Sequence, residues 1–147
     1  MTGETLVLDS EALSAVVRQD RRIQVVLAAA RHNDRRPVVP AVVLAEVMTG
    51  GSDDAAYWHV VGRLVLADTT PRIAARAGAL RERAVAARKK KRDLTVDAIV
   101  AATAQEFAPA VIATGDPADM TLLAAEVDST PAGRPAPGRA GVRVLAV

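Results

Sequence analysis

Residues 5–17, TLVLDSEALSAVV, set the pattern on which the rest of the chain is built. Thr5–Leu8 is a short apolar run with Asp9 directly behind it, which reads as a buried strand. Ser10 then suits the cap of a helix whose Leu13, Val16 and Val17 fall on one apolar stripe. The same alternation continues outward. A second helix is expected from about Asp20 to Asn33, and Pro37–Val39 is the next short apolar piece. Pro40 suits the first position of a helix carrying Val43, Leu44, Glu46 and Val47, which Gly50-Gly51 ends. Asp53 or Asp54 starts another helix, holding Tyr57 and Trp58, and Leu64–Ala67 reads as a strand. Thr70-Pro71 opens a long helix to about Lys91, and Thr95 caps the helix that carries DAIVAATAQEF. Ala110–Ala113 is a strand that runs into TGDPADM, followed by a short helix from Met120 to Glu126. Ser129–Gly141 is a Pro/Gly loop, and Val142–Val147 is a last strand.

Strands that are apolar throughout, rather than alternating, belong to parallel sheets covered on both faces by helices. The expectation is therefore one α/β domain over residues 1–147, with neither internal repeat nor linker. In such sheets the working site gathers at the carboxyl ends of the strands.

Composition narrows the chemistry. A chain of 147 residues suits a single domain with a real core. It is 50% hydrophobic but only 2% aromatic, so the core must be built from Ala, Val, Leu and Ile. Without cysteine there is no disulfide, thiolate metal site or thiol nucleophile, and two histidines argue against a His-rich zinc site. No apolar run is long enough to span a membrane, and MTGETLVLD has acid where a signal peptide has base, so a cytoplasmic protein is expected. A net charge of +2 leaves nucleic-acid binding to depend on where the cations sit.

Asp9 and Asp116 each stand just past a strand, Glu46 lies in the helix that leaves the second strand, and Asp97 occupies the first turn of its helix. Each also has a structural reading. Asp97 suits the positive end of a helix dipole, Asp9 a cap, and Asp116 a turn with Pro117. Glu46 sits among Val42, Val43, Leu44 and Val47, where a buried charge needs a partner, although Ala45 and Thr49 leave it a way to solvent. Taken together, converging carboxylates repel one another unless a cation joins them, and oxygen-only ligands select Mg²⁺ or Mn²⁺. A cation held in this way suits hydrolysis of a phosphodiester.

The segments LVLDSEALSAVV, VVPAVVLAEVMTGG, LTVDAIVAATA and VIATGDPADM resemble, in order, the four signature segments of PIN domains, most closely those of small VapC-type toxins. That resemblance implies a parallel sheet flanked by helices and an endoribonuclease that uses Mg²⁺ or Mn²⁺. It implies Asp9, Glu46, Asp97 and Asp116 as the metal-binding and catalytic acids, with Thr114 and Asp119 as auxiliary residues. It also implies an RNA substrate, a homodimer and a cognate antitoxin. Gly115 departs from the pattern, since many relatives carry a basic or larger residue there.

The run Arg88, Lys89, Lys90, Lys91 and Arg92 reads either as a solvated helix end or as a clamp for RNA phosphates. Arg31, Arg35 and Arg36 read as surface residues, His32 and His59 as surface or boundary histidines, and Met48, Tyr57 and Trp58 as packing or subunit contacts. Three rival readings make different demands. A haloacid-dehalogenase-like phosphatase needs a second Asp two residues after the first, where Glu11 stands. A receiver-like phosphoacceptor needs an acidic pair before Asp9 and a late Lys, neither of which is evident. A catalytically inactive PIN-fold binding module has no need of all four acids.

Overall fold

The computed structural model describes residues 3–87, 93–125 and 141–147. Its five strands are β1 (Thr5–Leu8), β2 (Val38–Pro40), β3 (Val65–Ala67), β4 (Ala110–Thr114) and β5 (Val142–Ala146). They form one sheet in the order β3-β2-β1-β4-β5, and every neighbouring pair is parallel. The helices are α1 (Ser10–Val17), α2 (Arg21–His32), α3 (Leu44–Val47), α4 (Asp54–Val61), α5 (Pro71–Ala87), α6 (Thr95–Glu106) and α7 (Pro117–Ala125). A 3-10 turn, Ala41–Val43, precedes α3.

From β1 the chain steps outward to β2 and β3, then crosses back to the other side of β1 for β4 and β5. Right-handed crossovers in opposite directions put the two sets of helices on opposite faces. The packing agrees: α1 touches α2, α3 and α4, while α5, α6 and α7 touch one another. The strand order therefore reverses between β1 and β4, and in a sheet of this kind a crevice opens there at the carboxyl edge. These central strands are the most apolar. β1 is buried throughout, and Leu6, Val7, Leu8, Ile112 and Ala113 are 2% exposed or less. β5 is an edge strand and stays partly exposed.

Several element ends differ from expectation for local reasons. Of the two caps the sequence offers α1, Asp9 takes the place and Ser10 does not, because the Asp9 carboxylate accepts the Ala12 amide at 2.8 Å. Thr95 is already helical, and the Asp93 carboxylate accepts its N–H at 2.9 Å. Pro40 ends β2 rather than opening a helix. α7 begins at Pro117, three residues before the expected start at Met120, because Pro suits a first helical turn and Asp116 caps it. The expected loop Ser129–Gly141 falls outside the described residues except for Gly141, as does the expected helix end at Glu126.

Candidate active site

Asp9 leaves β1 in register with the end of β4. Leu8 is paired with Ala113, and the Asp9 amide donates to the Ala113 carbonyl at 3.2 Å. Its carboxylate is 5% exposed and accepts hydrogen bonds from the Thr114 hydroxyl and from the Ala12 and Gly115 amides. Burial nonetheless raises its pKa. The Thr114 hydroxyl and the two amides work against that rise, while the charge of Glu11 adds to it. Among the described residues no cation contributes to the balance.

Thr114, fully buried, links two of the candidate acids. Its hydroxyl donates to Asp9 and accepts the Asp116 amide at 3.0 Å. Asp116 is half-buried, and its carboxylate accepts the Asp119 amide at 3.2 Å, so it also caps α7. Asp119 is buried at 1% exposure in the first turn of that helix.

Glu46 is exposed, not enclosed by the valines that flank it in sequence. A four-residue helix turns it outward, and its carboxylate accepts the hydroxyl of Ser10, the residue next to Asp9. Asp97 is half-buried in the first turn of α6. α6 spans about 18 Å and β4 about 17 Å. Phe107–Pro109 joins the end of α6 to the start of β4, so the two run antiparallel and Asp97 comes to the carboxyl edge.

Asp9, Thr114 and Asp116 are thus tied together directly, Glu46 is tied in through Ser10, and the topology of α6 brings Asp97 to the same edge. Among the described residues, no three His, Cys, Asp or Glu side chains are gathered closely enough to hold an ion. The donor set still fits a hard divalent cation, because every donor is an oxygen and Asp9 is a buried carboxylate whose charge no basic side chain among the described residues offsets. Two contacts escaped the sequence. Ser10 suggested only a cap, although a hydroxyl beside the first acid was the available signal for its bond to Glu46. The packing of Glu11 over Gly115 left no signal.

Residues 6–121 match the PIN domain family. The chain belongs to it. VapBC2 from Rickettsia felis, bound to a DNA fragment from its promoter, is similar in structure, with a TM-score of 0.66 and 12% identity over 97% of this chain and 98% of that one. DNA-bound VapBC from Salmonella typhimurium gives a TM-score of 0.63 and 16% identity, covering 98% of each chain. FitAcB from Neisseria gonorrhoeae gives 0.57 and 19% identity over 81% of this chain and 93% of that one. The chain matches no curated protein by sequence. No described helix of this PIN domain is long and apolar enough to cross a membrane.

Proposed function

We propose that this PIN domain is an Mg²⁺- or Mn²⁺-dependent endoribonuclease, the toxin of a toxin–antitoxin pair acting in the cytoplasm. The observation that carries the reading is Asp9, a buried carboxylate without a compensating cation among the described residues, tied through Thr114 to Asp116 where the strand order reverses. Asp9 and Asp97 would be direct ligands, Asp116 a further one, and Glu46, more exposed, a ligand or the base that takes the proton of the attacking water. When bound, the cation supplies charge neutralisation at the phosphate and Lewis acidity. The chain supplies the ligands, and the Ala12 and Gly115 amides and the Thr114 hydroxyl fix the orientation of Asp9.

Arg88–Arg92 lies outside the described residues, but its neighbours suit a role as a phosphate clamp. Arg72 and Arg76 of α5 pair with Glu106 at the far end of α6, whereas Arg81 donates to Thr95 at its start. The two helices are therefore antiparallel, and the end of α5 that leads into the run lies beside the turn of Asp97. An antitoxin has a suitable place on the opposite edge. A groove of about 870 Å³ there has Leu27, Val60 and Leu64 in its lining and is rimmed by Arg31, Arg36 and Arg63. Such a groove suits an amphipathic segment that carries acids.

The test is cleavage of RNA oligonucleotides by the purified protein with Mg²⁺, with Mn²⁺ and with a chelator, alongside Mn²⁺ calorimetry. Metal-dependent cutting and binding are expected. Binding of Mn²⁺ without cleavage of any RNA, or cleavage that survives the chelator, would overturn the reading.

A further inference from the structure

The loop after β4 meets the first turn of α1 more closely than two side chains would permit. A Cβ on Gly115 would lie 2.4 Å from Glu11 Cγ and 2.7 Å from Glu11 Cβ. The stem of Glu11 therefore fills the space into which a side chain at position 115 would project. Gly115 is held between two acids, its amide on Asp9 and its Cα against Glu11.

The structural duties open to the Glu11 carboxylate are small: in the first turn of α1 it meets the positive end of the helix dipole, a weak effect at so exposed a position. Asp9, not Glu11, caps α1. Its ion pair with Arg18 spans 3.1 Å, but the two side chains are 58% and 57% exposed, and a pair so open to water contributes little to stability. What the pair does achieve is placement. It holds an exposed carboxylate beside the Thr114–Asp116 loop, close enough to Asp9 for its charge to be felt there.

Resting on the ribonuclease reading above, we propose that Glu11 is a specificity-determining residue that contacts the nucleobase beside the scissile phosphate, taking from α1 the place a side chain at position 115 would hold. Arg18 is its positioning residue. A carboxylate only accepts hydrogen bonds. It favours a base edge rich in N–H donors, such as the amino group of cytosine or guanine, over uracil, whose single N–H stands between two carbonyls.

The test sequences the cut ends from a randomised RNA oligonucleotide pool treated with Mn²⁺ and wild type, Glu11→Ala, Glu11→Gln or Arg18→Gln. Wild type should disfavour uracil at one position next to the cut. Glu11→Ala should weaken that bias by about tenfold, the worth of a hydrogen bond to a charged group. Glu11→Gln, whose amide also donates, should relax it toward uracil, and Arg18→Gln should blur it less. Mn²⁺ affinity by calorimetry should stay within about threefold of wild type in all three variants, since the charge of Glu11 is only the smallest influence on Asp9. A stability cycle checks the geometry: Gly115→Ala should lower the melting temperature by about 3 °C or more in wild type and far less in Glu11→Ala. An unchanged base bias in Glu11→Ala overturns the proposal. So does a bias that changes only with a matching fall in Mn²⁺ affinity, which would make Glu11 a metal ligand. Wild type that cuts no RNA removes the ribonuclease reading and this inference together, whereas wild type that cuts with a bias indifferent to Glu11 removes this inference alone.

Discussion

The Asp9 carboxylate accepts two amides and a hydroxyl, yet burial still holds its pKa above the ordinary Asp value. A raised folded pKa means that its contribution to stability is fully present below the unfolded value of about 3.9 and is lost as pH rises through the folded value. Above the folded value, then, that contribution is gone, and a divalent cation that pairs with the ionised carboxylate should restore stability. Asp9→Asn is nearly isosteric and its side-chain oxygen can still accept the Ala12 amide. In metal-free buffer the melting temperature of wild type relative to Asp9→Asn should fall as pH rises from about 4 to 7, because only wild type loses a proton there. Mn²⁺ at about a hundred times its Kd should raise the wild-type melting temperature by about 5–10 °C and leave Asp9→Asn nearly unmoved. Differential scanning calorimetry with and without Mn²⁺ measures both effects. An equal response of the two proteins to Mn²⁺ would show that Asp9 is not a ligand. The placement of Asp9 and Asp116 was legible in the sequence, because an acid one or two residues past an apolar strand lies at the carboxyl edge. The exposure of Glu46 was not, because apolar neighbours along a chain say nothing of which way a four-residue helix turns its third residue.

At the scale of elements, α6 is what brings Asp97 to the edge. Ala98, Ala101, Ala102 and Ala104 are buried, and their small side chains let the helix lie close against the sheet and α5. Its start is fixed twice: Asp93 accepts the Thr95 amide, and Arg81 donates to the Thr95 hydroxyl at 3.1 Å. Start signals revealed this helix and its neighbour α5, Thr95 for the one and Thr70-Pro71 for the other. They could not reveal that the two helices run antiparallel, which depends on pairs such as Arg76–Glu106, 30 residues apart. Cap positions slipped by a residue or so because Asp, Ser and Thr compete for the same amides at a helix start. Asp97→Asn tests what the element is for. An Asn there keeps the helical turn at a cost of about 1 kcal/mol or less from the lost dipole interaction. Its cleavage of RNA should fall by about a hundredfold or more, because a neutral amide holds a cation poorly. The comparison is melting temperature against cleavage rate. A variant that melts like wild type and still cuts near the wild-type rate would remove Asp97 from the active site. Lys90→Ala should part from it, weakening RNA binding and flattening its salt dependence while Mn²⁺ binding holds, as a phosphate contact does.

Across the whole molecule, charge and apolar surface are separated by edge and face. The carboxyl edge holds the acids, and the opposite edge holds the groove rimmed by Arg31, Arg36 and Arg63, which make no ion pair among the described residues. Arg35 differs from its neighbours in donating to the Thr5 hydroxyl at 2.8 Å, which fastens the entrance of β2 to β1. The helices beside the groove expose large apolar side chains, Val25 on α2 at 66% and Trp58 on α4 at 56%. Tyr57, next to Trp58, is instead half-buried and bonded to Ser14 of α1 at 2.9 Å. α4 thus uses Tyr57 to hold its own domain and presents Trp58 outward. An exposed Trp on an anchored helix is the kind of residue that carries binding energy at a protein interface. The prediction is a homodimer whose contact includes Trp58 and Val25. Trp58→Asp should lower the melting temperature by about 3 °C or less at low concentration, since more than half of that residue is exposed in the monomer. It should convert a dimer to a monomer in multi-angle light scattering. Wild type that is already a monomer at working concentration would remove the dimer. If Trp58→Asp then also lost binding to an acidic amphipathic peptide, this surface would belong to the antitoxin instead.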